Sequence, residues 1–479
     1  MCVVGRAVGA ESVELRFTSN QAAPDLTCPA PPKPTGQRPK PQAQAGAAPT
    51  AARVLAALGE APDDRQPQPD PALLAHLRLD NAQPRGHRLK IALWGDSHAA
   101  AGGLDAALRR VLQLSGLDSN ALAFGPVAGR AGVALPLRKH CLAGQWRFEP
   151  AYLARGKALR TGPGLANLRA SGPGSELLLD LRDAARKPVG KALTLLFAPS
   201  TTQVELELAV DGAPARSVVL PAGNVTTDAP ARLRLAAAGG LSTVRLRVLR
   251  GEFVWQGARL DPIEPQPVQF DVFAFPSATV RGWAEVDVDY LRQSLAGEDY
   301  DAVLLQFGTN EGNEEPFDRV AYAELLEAAL GRLRAVFPAA SCVLLGPTDR
   351  GTPLDRIPAT EAGPGGAMPM PGRTLAALLR YSEIHRSIAA LQAEAAARYR
   401  CAAWDWQGFM GGPGSAYRWA QAVPPLGAGD LIHLTPEGYR RSGLGLARWL
   451  GWPGTGDLRE SALQSARVRG ATPSDASNP

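Results

Sequence analysis

Three short stretches of the chain combine side chains that together could support acyl transfer. Gly95-Asp96-Ser97-His98 offers a serine hydroxyl, and Gly308-Thr309-Asn310-Glu311 offers an amide that can donate to an oxyanion. Asp430-Leu431-Ile432-His433 places a carboxylate three residues before an imidazole. Because a carboxylate can orient an imidazole, and the imidazole can then remove a serine proton, the set predicts nucleophilic catalysis by Ser97, His433 and Asp430.

Each stretch also has an ordinary structural interpretation. A serine after a strand is a common first residue of a helix, and an asparagine in a turn often bonds its own backbone. Thr435 followed by Pro436 is typical of a helix start. This last pattern explains the beginning of a helix, but it requires neither Asp430 nor His433.

Short apolar runs precede the first two stretches and predict the strands that position them. The runs are Ile91–Trp94 and Ala302–Leu305, and a third run covers Cys342–Leu345. Apolar residues at helical spacing follow the first two runs, so strands alternate with helices. This order predicts a parallel sheet with helices on both faces, and in such sheets sites form at the carboxyl ends of the strands.

The middle of the chain has a different periodicity. From about 176 to 260, apolar and polar residues alternate, as in Val204–Val210, and Asp211-Gly212 is a hairpin signal. Several short strands with closely spaced turns predict an all-β sandwich. We therefore expect an inserted domain at 150–262 within an α/β domain made of 88–149 and 263–455.

The ends of the chain have little capacity to form a core. The chain of 479 residues contains 50 Gly and 42 Pro, and eleven of the prolines lie between Pro29 and Pro71. Such composition favours extended linkers, so residues 1–72 are expected to be a disordered tail with a short helix near 51–58. Residues 456–479 are expected to be a second tail.

Composition excludes several classes of protein. The net charge of +5 comes without a dense basic block, which argues against nucleic-acid binding. No apolar stretch approaches the ~18 residues of a spanning helix. The five cysteines form no CxxC pair, so a metal framework is not expected, and their odd number leaves at least one outside any disulfide. The first fifteen residues do not form a secretory signal.

Together the three stretches resemble the SGNH (GDSL-like) hydrolase family. GDSH matches the first block of that family, GTNE the third, and DLIHLTPEGY the fifth. The resemblance implies a flavodoxin-like three-layer α/β/α fold. It also implies that Ser97 is the nucleophile, His433 the base and Asp430 the residue that orients the base.

The family's oxyanion hole is implied to contain the Ser97 backbone N–H, the Asn310 side chain and a backbone N–H from the second block. Here the chain departs from the pattern, since Ser277 stands where the family carries glycine. A serine there is strained if the backbone needs a positive φ, and Gly282 is the alternative donor. Glu311 replaces the more usual aspartate, with no role expected beyond support of the hole.

A narrower resemblance is to the peptidoglycan O-acetylesterase branch. It rests on the β insertion, on GTNE and on the Trp404–Ser415 segment. It implies acetyl esters of peptidoglycan as substrate, a carbohydrate-binding-like jelly roll, a periplasmic or secreted location, and no metal or organic cofactor. His98, Gly308 and Trp419 are the candidate substrate contacts.

Two other functions stay open at this point. An O-acetyltransferase would use the same three residues and pass the acetyl group to a sugar hydroxyl. A carbohydrate-binding protein with a degenerate site would explain Ser277, although the intact Ser97, Asp430 and His433 argue against it. A lipase is less well supported because no apolar lid is evident. The natural polysaccharide and the oligomeric state stay undetermined.

Overall fold

The structure is a computed structural model that describes residues 12–18, 23, 25–28, 51–58, 66–79, 88–313, 316–353 and 372–453. Its strands are β1 (Ser12–Phe17), β2 (Leu89–Gly95), β3 (Ser119–Asn120), β4 (Ala123–Phe124), β5 (Lys139–Ala143), β6 (Trp146–Pro150), β7 (Ala166–Ala170), β8 (Glu176–Asp180), β9 (Gly190–Phe197), β10 (Val204–Val210), β11 (Arg216–Leu220), β12 (Ala231–Leu241), β13 (Thr243–Arg250), β14 (Val254–Pro262), β15 (Val268–Ala274), β16 (Ala302–Gln306), β17 (Ser341–Leu345) and β18 (Ala402–Trp404). Its α-helices are α1 (Ala51–Leu58), α2 (Ser97–Ala100), α3 (Gly103–Leu114), α4 (Arg281–Ala284), α5 (Val288–Ser294), α6 (Arg319–Val336), α7 (Gly372–Arg398), α8 (Trp406–Met410), α9 (Ser415–Gln421) and α10 (Pro436–Trp449).

The α/β part is built on a parallel sheet with the strand order β18-β17-β16-β2-β15-β3. Without the two-residue β3, the chain order across the sheet is 2-1-3-4-5, which is the flavodoxin-like arrangement. The predicted α/β/α hydrolase fold is therefore confirmed. The strand order reverses beside β2, so the end of β2 is where a site is expected.

Alternate residues of β2 face two different cores. Trp94 packs in the core that α6 and α7 cover, whereas Ile91 and Leu93 pack in the core that α3 and α10 cover. This alternation follows from the period of two in a strand. Because both faces are covered, all seven β2 residues except Lys90 are buried, and the strand is held rigidly beneath the residues that follow it.

The middle of the chain forms two further sheets with the orders β1-β12-β9-β14-β7-β6 and β11-β10-β13-β8-β5, and β4 pairs with β14. Apart from the parallel pair β1–β12, these strands pair antiparallel. Leucines of both sheets share one core, in which Trp255 is fully buried. The two sheets thus pack against each other, and apart from β1 their strands lie between β3 and β15 in the chain.

The predicted start of the insertion at residue 150 is too late. Strands β4, β5 and β6 all precede or reach that position, and they pair with β14, β8 and β7 respectively. β4 has only two residues, and β5 and β6 are short and carry charged residues, so the three strands lack the clear alternation that marks the later strands. The chain therefore enters the sandwich sheets by Ala123.

Part of the predicted N-terminal tail is also ordered. β1 pairs with β12 over its whole length, and Leu15 and Phe17 are buried in the sandwich core. A disulfide between Cys28 and Cys141 ties this segment to β5, and a second joins Cys342 to Cys401. The expected short helix is α1. Residues 456–479, Cys2 and most of the proline-rich segment lie outside the described residues.

No helix within the described ranges is both long enough and apolar enough to cross a membrane.

Candidate active site

Ser97 is the first residue of α2, immediately after β2. Gly95 ends the strand, and a Cβ on it would lie 2.6 Å from the Ala99 Cβ, so the turn requires glycine for space. The Asp96 carboxylate accepts the His98 backbone N–H at 2.9 Å and so begins the helix. This turn presents the Ser97 hydroxyl at the carboxyl edge of the parallel sheet.

A continuous chain of contacts links Ser97, His433 and Asp430. The Ser97 Oγ lies 3.0 Å from the His433 Nε2, and the His433 Nδ1 lies 2.7 Å from the Asp430 Oδ2. An ionised carboxylate can only accept, so this contact places the ring proton on Nδ1. Nε2 is then free to accept a proton from Ser97.

The turn that carries Asp430 and His433 is held by its own backbone. The Asp430 Oδ1 accepts the N–H groups of Ile432 at 3.0 Å and His433 at 2.9 Å, and Leu431 has a φ of +59°. Partial burial raises the pKa of Asp430, but the hydrogen bonds from the His433 ring and these backbone groups outweigh it and hold that pKa below its ordinary value. Asp430 therefore stays ionised and keeps the imidazole oriented.

Two loops beside Ser97 carry the expected oxyanion donors. The Asn310 side-chain amide donates to the Ala278 carbonyl at 2.8 Å, which ties the third block to the second. The Phe275 N–H donates to the Gly95 carbonyl at 3.3 Å, which ties the second block to the first. One N–H of the Asn310 amide is used in this way, and the second stays available to a substrate oxygen.

Ser277 has the backbone conformation that favours glycine. Its φ is +68°, so the expected strain of serine at this position is present. Its side chain is exposed, and among the described residues its backbone N–H has no acceptor. These features favour the backbone N–H of Ser277, rather than its hydroxyl, as the group that would donate to a substrate oxygen.

Replacing Ser277 by glycine is expected to stabilise the protein by roughly 1 kcal/mol, because the left-handed conformation no longer carries a Cβ. Activity on a soluble acetate ester should stay within about threefold of wild type, since the backbone N–H is retained. Thermal unfolding and steady-state kinetics measure both effects. A large loss of kcat in Ser277→Gly would show that the hydroxyl itself takes part.

Glu311 is a buried carboxylate that holds the two donor loops together. Its Oε1 accepts the Val280 N–H at 2.7 Å, and its Oε2 accepts the Gly308 N–H at 3.0 Å. Gly308 has a φ of +126°, and a Cβ on it would lie 2.8 Å from the Pro347 Cδ. Gly308 is thus a structural part of the loop. Sequence analysis predicts at most a supporting role for Glu311, because its contacts with both loops depend on the fold.

Exchanging Glu311 for glutamine should lower kcat about tenfold or more with little change in KM. The amide places an N–H opposite one backbone N–H, which leaves a buried donor unsatisfied and shifts a donor loop. Glu285→Gln is the matched control, because Glu285 is also buried and accepts a backbone N–H, from Gly156. Equal losses of kcat in the two variants would contradict a positioning role for Glu311.

Asp96 is fully buried directly before Ser97 in the chain. Burial raises the pKa of Asp96 to about 7, and the nearby Glu311 carboxylate acts in the same direction, against the hydrogen bond from the His98 N–H. The folded protein therefore retains a proton on Asp96 that the unfolded chain releases near pH 4. The stability of the folded state is expected to decline as the pH rises between about 4 and about 7.

Asp96→Asn removes this titration while keeping an oxygen that accepts the His98 N–H. The free energy of unfolding of the wild type should therefore fall relative to that of Asp96→Asn as the pH rises from about 4 to about 7. Denaturant titrations at several pH values measure the difference. Parallel pH profiles for the two proteins would contradict the raised pKa of Asp96.

His98, a candidate substrate contact from the sequence, is enclosed by protein side chains. It is fully buried, with its Nδ1 3.1 Å from the Tyr439 hydroxyl and its Nε2 3.1 Å from the Thr348 hydroxyl. Burial lowers the pKa of His98 to about 3, and the nearby His433 ring acts in the same direction. His98 is thus neutral and packs 5.4 Å from the His433 ring without adding charge.

Trp419 also has a structural role. It is 5% exposed, and its indole N–H donates to the Met410 carbonyl at 2.9 Å. The side chain therefore pins the glycine-rich loop and offers no open face for a sugar ring. The sequence suggests a sugar contact because Trp419 is an aromatic residue after a glycine-rich loop. Aromatic residues that only hold such a loop in place occur in the same position.

A parallel sheet of this order, with a Ser–His–Asp chain at its carboxyl edge, defines an α/β serine-hydrolase arrangement. Residues 237–441 match the model of the GDSL-like lipase/acylhydrolase family, and the matched segment includes Asn310, Asp430 and His433. Ser97 precedes the β insertion and lies outside that segment. The predicted resemblance to the SGNH (GDSL-like) hydrolases is confirmed.

Among solved structures, a peptidoglycan O-acetylesterase has a similar fold, with a TM-score of 0.55 and 20% identity over 82% of this chain and 96% of that chain. A family 2 carbohydrate esterase with a carbohydrate-binding domain from Corynascus thermopiles (Myceliophthora fergusii) matches with a TM-score of 0.26 and 14% identity, over 64% of this chain and 100% of its own. A family 2 carbohydrate esterase from Cellvibrio japonicus matches with a TM-score of 0.23 and 12% identity, over 65% of this chain and 98% of its own. TM-scores this low do not establish a common fold for these two esterases and this chain. A search of curated proteins gives no match.

Proposed function

We propose that this chain is a serine esterase that removes O-acetyl groups from a cell-wall polysaccharide, with peptidoglycan as the substrate. The observation that carries the proposal is the chain of contacts from the Ser97 Oγ to the His433 Nε2, at 3.0 Å, and from the His433 Nδ1 to the Asp430 Oδ2, at 2.7 Å. Both distances are within hydrogen-bond reach, as a nucleophile and its base require.

In the first step, the Ser97 Oγ forms a bond to the acetyl carbonyl carbon while the His433 Nε2 takes the hydroxyl proton. The charge on the carbonyl oxygen is stabilised by the N–H groups of Ser97, Ser277 and Asn310. The carbon–oxygen bond to the sugar then breaks, and the His433 proton passes to the sugar oxygen. The products are a free sugar hydroxyl and an acetyl group on Ser97.

In the second step, water replaces the sugar. His433 removes a proton from the water as its oxygen attacks the acetyl carbon, and the same three donors stabilise the oxyanion again. The bond to the Ser97 Oγ breaks, the proton returns to that oxygen, and acetate leaves. Asp430 stays ionised throughout and stabilises the imidazolium that forms in each step.

We further propose that the inserted β-sandwich is a jelly-roll-like module that helps to bind the polysaccharide. Its position supports this role, because it shares a core with the hydrolase part next to the second block. The Trp94 indole N–H, directly behind the nucleophile turn, donates to the Pro163 carbonyl of the insertion at 2.7 Å. The insertion is thus fixed beside the catalytic edge rather than tethered at a distance.

Two observations support a peptidoglycan substrate outside the cytoplasm, in the periplasm or secreted. The fold is similar to that of a solved peptidoglycan O-acetylesterase over most of both chains. The Cys28–Cys141 and Cys342–Cys401 disulfides favour an oxidising compartment.

The proposed substrate is tested by acetate release from O-acetylated peptidoglycan, compared with acetylated xylan and acetylated alginate. We expect peptidoglycan to be the best of the three, and Ser97→Ala to release no acetate from any of them. Acetyl transfer to an added oligosaccharide in place of acetate release would identify a transferase. Sugar binding without any turnover would identify a binding protein, and either result would overturn the proposal.

A further inference from the structure

Arg130 is a half-buried cation without a hydrogen-bond partner in the part of the chain that the structure describes. Its Nε is fully buried and has no acceptor there. Its guanidinium carbon lies 3.9 Å from the centroid of the Phe148 ring, so the cation is held flat on an aromatic face. The buried Nε donor is therefore unsatisfied, whereas the guanidinium as a whole is only half-buried and can bind an external acceptor through its other N–H groups.

The surroundings of Arg130 place it beside the proposed oxyanion hole. The Phe148 ring contacts Phe275 edge-on at 5.1 Å, and Phe275 leads directly into Pro276 and Ser277. In the same loop as Arg130, a Cβ on Gly132 would lie 3.5 Å from the Pro276 Cγ. The loop that carries Arg130 therefore borders the segment that carries the Ser277 donor.

An aromatic side chain completes this surface. The half-buried Tyr152 ring stacks on the Phe275 ring with centroids 6.3 Å apart and planes 21° apart. Arg130, Phe148 and Tyr152 belong to the insertion side of the boundary, whereas Phe275 belongs to the hydrolase side. We call Arg130, Phe148 and Tyr152 the junction platform.

We propose that the junction platform binds a carboxylate-bearing sugar of the substrate, with the carboxylate on the Arg130 guanidinium and the sugar ring against Tyr152. This inference rests on the proposed function, because it places the acidic sugar next to the acetyl group that Ser97 attacks. A guanidinium presents paired N–H donors that match the two oxygens of a carboxylate. A single guanidinium also matches the single charge of a carboxylate.

The chemistry of the proposed substrate fits this platform. N-acetylmuramic acid without a stem peptide carries a free lactyl carboxylate on the ring whose hydroxyl is acetylated, so one residue can supply both groups. Burial lowers the pKa of Arg130, but a guanidinium stays charged at neutral pH. The platform would thus favour acetyl esters of acidic sugars over those of neutral sugars.

Binding tests the platform independently of turnover. In a Ser97→Ala background, calorimetry compares a disaccharide that contains N-acetylmuramic acid with its carboxyl-reduced, neutral counterpart. We expect the acidic disaccharide to bind about 10- to 100-fold more tightly, and Arg130→Met to remove most of that difference. Methionine keeps an unbranched stem against Phe148, and Arg130→Lys should retain part of the preference. Equal affinities for the two ligands in the Ser97→Ala protein would overturn the platform.

Turnover gives the second measurement. Arg130→Met should lower kcat/KM about 10- to 100-fold on acetylated peptidoglycan glycan fragments without stem peptides, and leave kcat/KM on acetylated xylan fragments and on a chromogenic acetate unchanged. Arg147→Met is the matched control, since Arg147 is an exposed arginine that lies next to Phe148 on β6 and pairs with Glu149. Equal losses of kcat/KM on acidic and neutral substrates would show that Arg130 has only a structural role. If the wild type hydrolyses no acetylated sugar, the proposed function fails, and the binding measurement still decides the platform.

Discussion

Replacing Ser97 by alanine is expected to lower kcat for a chromogenic acetate by roughly 10⁶-fold, to the limit of detection. The hydroxyl lies 3.0 Å from the His433 Nε2, and the proposed reaction passes through a bond to its oxygen. Steady-state kinetics measure the loss. Because the nucleophile and its base act as one unit, Ser97→Ala combined with His433→Ala should be no worse than Ser97→Ala alone.

Ser294→Ala is the matched control for this change. Ser294 is a buried serine at the end of α5, as Ser97 is a half-buried serine at the start of α2, and the Ser294 hydroxyl donates to the Tyr290 carbonyl away from the catalytic edge. Its removal should leave kcat unchanged, and both variants should unfold near the wild-type temperature. Wild-type kcat in a folded Ser97→Ala protein would refute Ser97 as the nucleophile.

Replacing Asn310 by alanine is expected to lower kcat about 10²- to 10³-fold, with a smaller effect on KM. The amide donates once to the Ala278 carbonyl, and we propose that its other N–H stabilises the oxyanion, which carries full charge only in the transition state. The ground-state ester gains less from this donor, so the loss falls mainly on kcat.

Two comparisons separate this effect from a loss of folding. Asn224→Ala removes an exposed amide in a turn of the sandwich and should leave kcat unchanged. Asn310→Asp keeps the shape of the side chain but replaces the N–H donor by a negative oxygen, so it should be at least as impaired as Asn310→Ala. Near-wild-type kcat in Asn310→Asp would contradict the role of Asn310 as a donor.

The α/β framework and its catalytic edge follow closely from the sequence. Apolar runs such as Ile91–Trp94 can only be central strands, and the residues after parallel strands must meet at one edge. This rule brings Ser97, after β2, and Asn310, after β16, together although the β insertion separates them in the chain. The positive φ of Ser277 could also be expected, because the family carries glycine there.

The N-terminal strand β1 lies in a segment that its composition predicts to be disordered. Val13, Leu15 and Phe17 alternate with charged residues, which is a strand signal, but the segment stands before a long proline-rich stretch. Because the composition is averaged over residues 1–72, the many prolines outweigh the signal of this six-residue strand. Its pairing with β12 depends on an edge that is formed by residues more than 200 positions away, so the local sequence does not reveal it.

Side-chain direction around the site could not be read from the sequence either. His98 follows the nucleophile, but its position on the short helix α2 turns it inward, where Tyr439 and Thr348 hold its ring. Glu311 looks like a variant surface residue until the fold places the Val280 and Gly308 N–H groups on its two oxygens. Both roles depend on contacts between segments far apart in the chain.

We propose that Ser97 carries the acetyl group between the two steps of the reaction. Rapid quenching of the enzyme during turnover of O-acetylated peptidoglycan fragments, followed by peptide mass spectrometry, tests this role directly. We expect one added acetyl group on the peptide that contains Ser97, lost again as acetate is released, and none in Ser97→Ala. Acetate release at the wild-type rate without any acetyl group on Ser97 would contradict it.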